Sequence, residues 1–137
     1  MDLKCRFKIK SWDEKTLREL PPDRKITLAS ATMDLVEGDS VDDATGEVLQ
    51  ELVMYYRPDG TADVLGLLQI TGSISGRTGG FALESIGGFD GTTASGQLRV
   101  IPGSGTDELS TVRGSGASSA THESYPYVDC MLTLDVE

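Results

Sequence analysis

The chain has two cysteines, one histidine, one tryptophan and no asparagine in 137 residues. Each scarcity excludes something. Cys5 and Cys130 form no CxxC pair, and His122 is the only imidazole, so zinc sites of the usual kind are ruled out, and neither a metal nor a cofactor is expected. Without asparagine there is no N-glycosylation acceptor. The longest apolar run, around Val64-Leu65-Gly66-Leu67-Leu68, is far short of the roughly 20 residues that cross a bilayer as a helix. The first residues alternate charged and apolar side chains where a leader would have an unbroken apolar stretch, so no secretory signal is expected. The two thiols then read as reduced and buried, and the protein as cytoplasmic.

Lysine is missing from everything after Lys25. Residues 1–25 hold eight of the 12 basic residues and five of the 22 acidic ones, so the remaining chain is strongly acidic within a net charge of −10. Such a body repels phosphate backbones, which argues against nucleic acid as a partner. A hydrophobic fraction of 38% is too high for a disordered chain, and 137 residues suit one domain with one core, spanning 1–137.

Glycine is abundant, 16 residues, and most of it punctuates short runs of β-forming residues. Leu3, Cys5, Phe7 and Ile9 alternate with Lys4, Arg6, Lys8 and Lys10, the period-two pattern of a strand with one buried and one wet face. Residues 13–24 are charged and close on Pro21-Pro22-Asp23, so they read as a loop with at most one helical turn. Strands are predicted at 25–36, 45–56, 61–74, 80–86, 92–101, 114–121 and 125–136. Residues 37–44 are an acidic turn, Arg57-Pro58-Asp59-Gly60 a hairpin turn of type I, and 75–79 and 87–91 further turns. In PGSGTDEL (102–109), Thr106 is expected to cap a short helical turn running to Val112. The small residues of 114–121 suit a strand that a neighbouring backbone approaches closely.

Eight strands on hairpin-length connections, with no βαβ spacing, predict an all-β fold. An open meander would leave two raw edges, so closure into an eight-stranded antiparallel up-and-down barrel is expected, with at most one or two short helical turns. Closure makes the first and last strands neighbours. Charge supports this, with Lys4, Arg6, Lys8 and Lys10 set against Asp129 and Asp135, and it predicts that Lys8 and Asp135 lie close together.

Several motifs together resemble the bacterial domain-of-unknown-function 3224 family. They are SWDE at 11–14, PDG at 58–60, GLLQITG at 66–72, SGRTGGFAL at 75–83, GGFDG at 87–91 and PGSGTDELSTVRGSG at 102–116. The resemblance implies an allene oxide cyclase-like barrel with a central cavity, and it brings no catalytic residues.

Inward faces are assigned to Leu28, Gln50, Leu52, Met54, Tyr56, Leu68, Phe81, Leu83, Ser85, Leu98 and Val100, with Tyr125 and Tyr127 at the mouth. From this set Gln50, Met54, Tyr56, Leu68, Phe81, Leu83, Ser85, Leu98, Tyr125 and Tyr127 are the candidate ligand-binding residues, for a small apolar molecule held in the barrel. Two other readings stand beside it: a cyclase or isomerase acting on a small hydrophobic substrate, and a non-catalytic assembly protein with a filled barrel. Strands three and four are apolar on both faces, which predicts a homo-oligomeric interface over Leu49, Val53, Tyr55, Leu65 and Leu67. Glu47, Glu51, Asp63 and Glu84 read as solvated strand faces, His122 as a loop residue, and the PGSGTDEL loop as a turn with no nucleotide chemistry. Cys5 and Cys130 face inward on strands expected to be neighbours; a disulfide requires the right register, and free thiols are the favoured state.

Overall fold

The computed structural model describes residues 2–37 and 44–136. Its elements are β1 (Asp2–Leu20), β2 (Arg24–Glu37), β3 (Ala44–Tyr56), β4 (Ala62–Ile74), β5 (Arg77–Phe89), β6 (Thr93–Val100), β7 (Thr106–Asp107), β8 (Arg113–Thr121) and β9 (Tyr127–Asp135). Apart from the two-residue β7, each strand pairs antiparallel with the next. β1 pairs with β9 and β4 with β5, so the sheet closes into an eight-stranded barrel. No helix is present among the described residues, and none is therefore long and apolar enough to cross a membrane.

The wall is strongly staggered. Directly opposed residues, followed once around the barrel, run from Leu3 through Leu132, Gly116, Leu98, Ser85, Gly66, Leu52 and Ala29. The path returns to β1 at Glu14 and not at Leu3. A tilted, closed wall requires such an offset. It forces β1 to be long, because Asp2–Lys8 pair with β9 while Cys5–Leu20 pair with β2. The loop expected over 13–24 is therefore strand as far as Leu20, and only Pro21-Pro22-Asp23 turns. Two register shifts, between Ile9 and Ser11 and between Thr16 and Arg18, break the alternation that would have revealed it. The first shift brings Trp12, Glu14 and Thr16 opposite Ala31, Ala29 and Thr27, on the interior face.

The charge argument for closure holds only in part. Arg6 faces Asp129 across the seam at 2.9 Å. Lys8, however, is opposite Tyr127, and Asp135 lies past the last β1–β9 pair and bonds Arg113 on β8 at 2.8 Å. Lys10 reaches Asp34 on β2 at 3.0 Å. These pairs are solvent-exposed and contribute little each. The seam is held by main-chain bonds and by the inward pairs Leu3–Leu132, Cys5–Cys130 and Phe7–Val128.

The interior is packed at one end. Phe7, Phe81, Leu3, Met33, Ile70, Leu83 and Leu132 are at most 1% exposed there, and Leu109 and Val112 close the floor from the loop after β6. That loop makes no helix. Thr106 and Asp107 form β7 on the free edge of β5 at Gly79 and Gly80. The Gly80 amide donates to Thr106 Oγ1 (2.9 Å) and the Ala82 amide to Ser104 Oγ (3.0 Å), so the Thr106 hydroxyl serves the β5 edge and caps nothing. The turn at 57–60 forms as expected, with the Gly60 amide donating to the Arg57 carbonyl at 3.0 Å. Of the turn expected over 75–79, Ser75 and Gly76 reverse the chain and Arg77 to Gly79 already belong to β5. Gly87 to Phe89, expected as turn, remain in β5, and Asp90 makes the reversal by accepting from the Thr92 and Thr93 amides. Most of the expected acidic turn at 37–44 lies outside the described residues.

The close approach expected in β8 is real: a Cβ on Gly116 would sit 2.0 Å from the Met131 carbonyl oxygen and 2.8 Å from Leu132 Cδ2. Gly116→Ala is therefore expected to destabilise by about 1–3 kcal/mol. The exposed neighbour change Ser119→Ala should stay within about 0.5 kcal/mol. Urea unfolding of both variants checks the contrast, and equal midpoints would refute it.

Candidate functional site

The stagger gives the other end of the barrel a different character. Beyond Lys8, β1 has no paired partner on β9; the last bond across the seam is from the Ile9 amide to the Pro126 carbonyl (2.8 Å). From there β1 runs on as an arm along β2 alone, its far edge open, while β2 stays paired with β3 up to Lys25–Tyr56. The interior face of the two strands carries Trp12, Glu14, Thr16, Thr27, Ala29 and Ala31. Tyr56, at the end of β3, stands opposite Lys25 beside this arm.

Three donors converge on one carboxylate. Thr27 Oγ1 donates to Glu14 Oε2 at 2.8 Å, and Tyr56 OH donates to the same oxygen at 2.9 Å. Trp12 Nε1 donates to Glu14 Oε1 at 3.3 Å. Thr27 is 1% exposed, whereas Trp12 is 43% exposed although its ladder position faces inward. That combination marks an open mouth rather than a sealed core. Burial first, then the hydrogen bond to Glu14 and the charge beside it, push the Tyr56 phenol up to about 12. Tyr56 is thus a proton donor throughout the neutral range. Met54 sulfur lies 3.3 Å from the phenol oxygen, and Lys25 Nζ sits 5.0 Å from the ring centroid.

The facing wall is built from small residues. The row opposite Met54 runs through Val64, Gly87, Gly96 and Ser118, and the row above it includes Phe89 and Ala94. Large side chains on β1–β3 therefore look across the mouth at a wall that projects little. Outside, between the β1–β2 and β3–β4 turns, a groove of about 680 Å³ is lined by Glu19, Pro22, Arg24, Lys25, Tyr56 and Arg57, among others. Tyr56 separates groove from mouth.

The sequence-predicted residues divide by level. Gln50, Met54 and Tyr56 face the interior at or near the mouth, and Ser85 (8% exposed) lies opposite Gly66 and Leu98. Leu68, Phe81, Leu83 and Leu98 belong to the packed cluster. Leu28, assigned inward, faces outward, because the interior side of β2 carries Thr27, Ala29 and Ala31. The two C-terminal tyrosines are not at the mouth: Tyr125 is 69% exposed in a turn, and Tyr127 lies on the outer wall, its ring 5.7 Å from the Arg6 guanidinium. The odd positions of β9 point outward while Cys130, Leu132 and Leu134 point in, which fixes Tyr127's side. Glu47, Glu51, Asp63 and Glu84 all face outward, the last two on Arg57 and Arg99. His122 stands in a turn, edge-on to Phe89 at 6.3 Å. Glu14 was missed because 13–24 read as loop, Trp12 because it read as the end of the first strand, and Thr27 because Leu28 was assigned the inward face of β2. The usable signal was the single tryptophan within SWDE. Among the described residues, no group of three or more His, Cys, Asp or Glu is placed to hold a metal ion.

Leu49, Val53, Tyr55, Leu65 and Leu67 do share the outer face of β3 and β4. The structure extends this surface: Leu28, Val53, Leu65 and Ile86 are directly opposed in one row across β2 to β5.

Comparison with known proteins agrees with this architecture. No functionally curated protein matches the chain. The crystal structure of a protein of unknown function from the DUF3224 family of Shewanella oneidensis MR-1 superposes with a TM-score of 0.71, over 100% of this chain and 99% of that one. At 18% identity, that likeness speaks for the fold alone. The family model described as "Protein of unknown function (DUF3224)" matches residues 3–130, nearly the whole barrel, and the chain belongs to that family.

Proposed function

We propose that the protein binds a small molecule with an apolar body and a hydrogen-bonding head at the open end of the barrel. The observation that carries this is the exposed, inward-facing Trp12 beside the Glu14–Tyr56–Thr27 network. Ligand sites combine apolar walls with a few convergent polar groups, and the mouth has Trp12, Met54, Val64 and Phe89 for the first and Glu14, Tyr56 and Gln50 for the second. The packed lower half leaves the mouth as the place for a ligand, so Leu68, Phe81, Leu83 and Leu98 would support the site from below without touching its occupant. A cyclase or isomerase is less favoured. Glu14 is solvent-exposed, and Tyr56 holds its proton to about pH 12, far from the operating range of a general acid–base pair.

The same reading includes self-association of a second copy through the Leu28–Val53–Leu65–Ile86 row, with Leu49, Tyr55 and Leu67 around it. Leu49, Val53, Leu65, Leu67 and Ile86 are 42–56% exposed, and together they form a contiguous patch of the kind that marks an interface. A barrel wall that is the same in both copies suits an isologous pair.

Trp12 is the only tryptophan, so intrinsic emission reports the mouth directly. Native mass spectrometry of protein purified without unfolding is expected to show a co-purifying small molecule whose removal shifts Trp12 emission. A bare polypeptide mass in repeated preparations, with emission unresponsive to a neutral apolar dye, would overturn the binding reading.

Tyr56 ionises at 10 in the unfolded chain and near 12 in the fold, so its contribution to stability is fully present below pH 10 and is lost as pH rises through 12. Ultraviolet titration should find one phenol ionising near pH 12, absent in Tyr56→Phe and lowered in Glu14→Gln. Identical titrations in all three proteins would show that the network does not exist in solution.

Light scattering behind size exclusion is expected to give a dimer or larger, converted to monomer by Leu65→Glu. A clean wild-type monomer at high micromolar concentration would refute the interface.

A further inference from the structure

The barrel's seam carries a pair of groups that the mouth does not use. Cys5 on β1 and Cys130 on β9 are directly opposed, both point inward, and they are 1% and 3% exposed. Both are free thiols. Directly opposed residues of an antiparallel pair have Cα atoms about 4.5–5.5 Å apart. A disulfide spans Cα separations of about 4.4–6.8 Å, so the register needs no rearrangement of the strands. The two thiols already interact. The Cys130 thiol hydrogen-bonds Cys5 and lowers it, while that bond and burial hold Cys130 up. Cys5 is thus the more acidic thiol of the two. Ser118 completes the row on β8, and the same seam is overlain by an outer groove of about 480 Å³ whose lining includes both cysteines with Lys4, Arg6 and Ser118.

We propose that Cys5 and Cys130 are a reversible redox staple: a low-molecular-weight peroxide converts them to a disulfide that ties the first strand to the last. The Cys5 thiolate attacks a peroxide oxygen, the O–O bond breaks, and Cys5 becomes a sulfenic acid as the first water leaves. Cys130 then gives up its proton and its sulfur attacks the Cys5 sulfur. The S–O bond breaks, the S–S bond forms, and the second water leaves. Two thiols and one hydrogen peroxide become one disulfide and two waters. A small-molecule thiol reverses the step by exchange. A peroxide is small enough for a buried pair, and a cross-link closing nearly the entire chain restricts the unfolded state strongly.

The test uses the folded wild-type chain with hydrogen peroxide, followed by unfolding and alkylation. The intact mass is expected to fall by about 2 Da, as two hydrogens are lost, with no thiol left to alkylate and full reversal by reductant. The thermal midpoint should rise by about 5–10 °C. In Cys130→Ser the reaction should stop at a sulfenic acid on Cys5, trapped by dimedone. If that variant does not fold, the wild-type mass and alkylation decide alone. Two alkylated thiols, gain of oxygen in place of loss of hydrogen, a covalent dimer, or oxidation only in denaturant would each overturn the proposal.

Discussion

The ladder between the first and last strands is the constraint on which the molecule depends. An antiparallel meander has two edges, and here both are removed by seven directly opposed pairs, Asp2–Thr133 to Lys8–Tyr127. Closing a tilted wall costs an offset, and the path from Leu3 around to Glu14 measures it. β1 must therefore serve two neighbours at different heights. It meets β9 with its first residues and climbs past the end of β9 with the rest. The seam is thus the physical cause of the mouth: the part of β1 that has outrun its partner is the part that carries Trp12 and Glu14.

The division of the interior follows from the same stagger. Where the wall is closed on all sides, inward residues are large and apolar, from Phe7 and Met33 to Phe81 and Leu132, and Leu109 and Val112 seal the floor. Where β1 has passed the end of β9, no strand covers its far edge, and its inward positions become polar or amphipathic. Glu14 cannot be buried without partners. It sits where Thr27, Tyr56 and Trp12 each bring a donor and where water still reaches it. The arm's unpaired edge carries Asp13, Lys15, Arg18 and Glu19, charges that discourage pairing with another chain.

Much of this was legible in the residues, and the misses have a common physical origin. Period-two alternation located β9 and the start of β1, β-forming runs between glycine-rich turns located β2 to β6, and hairpin chemistry at Arg57-Pro58-Asp59-Gly60 placed a turn correctly. The charge reading of closure found the right strands but overrated the charges, since Arg6 reaches Asp129 whereas Lys8 stands opposite Tyr127 and Lys10 bonds Asp34 on β2. Alternation fails wherever an extra residue enters a strand. The shifts after Ile9 and Thr16 scrambled the pattern of β1 and hid the arm, and with it Trp12 and Glu14, while the mixed pattern of β2 put Leu28 inward in place of Thr27. Thr106 looked like a helix cap because a threonine followed by acids satisfies that rule locally. In the fold the free edge of β5 competes for the same hydroxyl and backbone, and the edge wins. Tyr125 and Tyr127 were misplaced for a different reason: with Cys130 and Leu132 facing in, odd positions of β9 face out, where Arg6 takes the Tyr127 ring.

β1 also joins the seam to the mouth in one covalent piece. Cys5 lies in its paired part and Glu14 in its free part, with the first bulge between them. Detaching β1 from β9 would leave the strand that carries Trp12 and Glu14 held by its ladder with β2 and by the bonds from Thr27 and Tyr56 to Glu14. Anything that binds the docked arrangement and not the detached one stabilises the docked one by mass action. A ligand at the mouth and a bond across the seam would therefore act on one equilibrium through a single strand, and each would make the geometry needed by the other more populated.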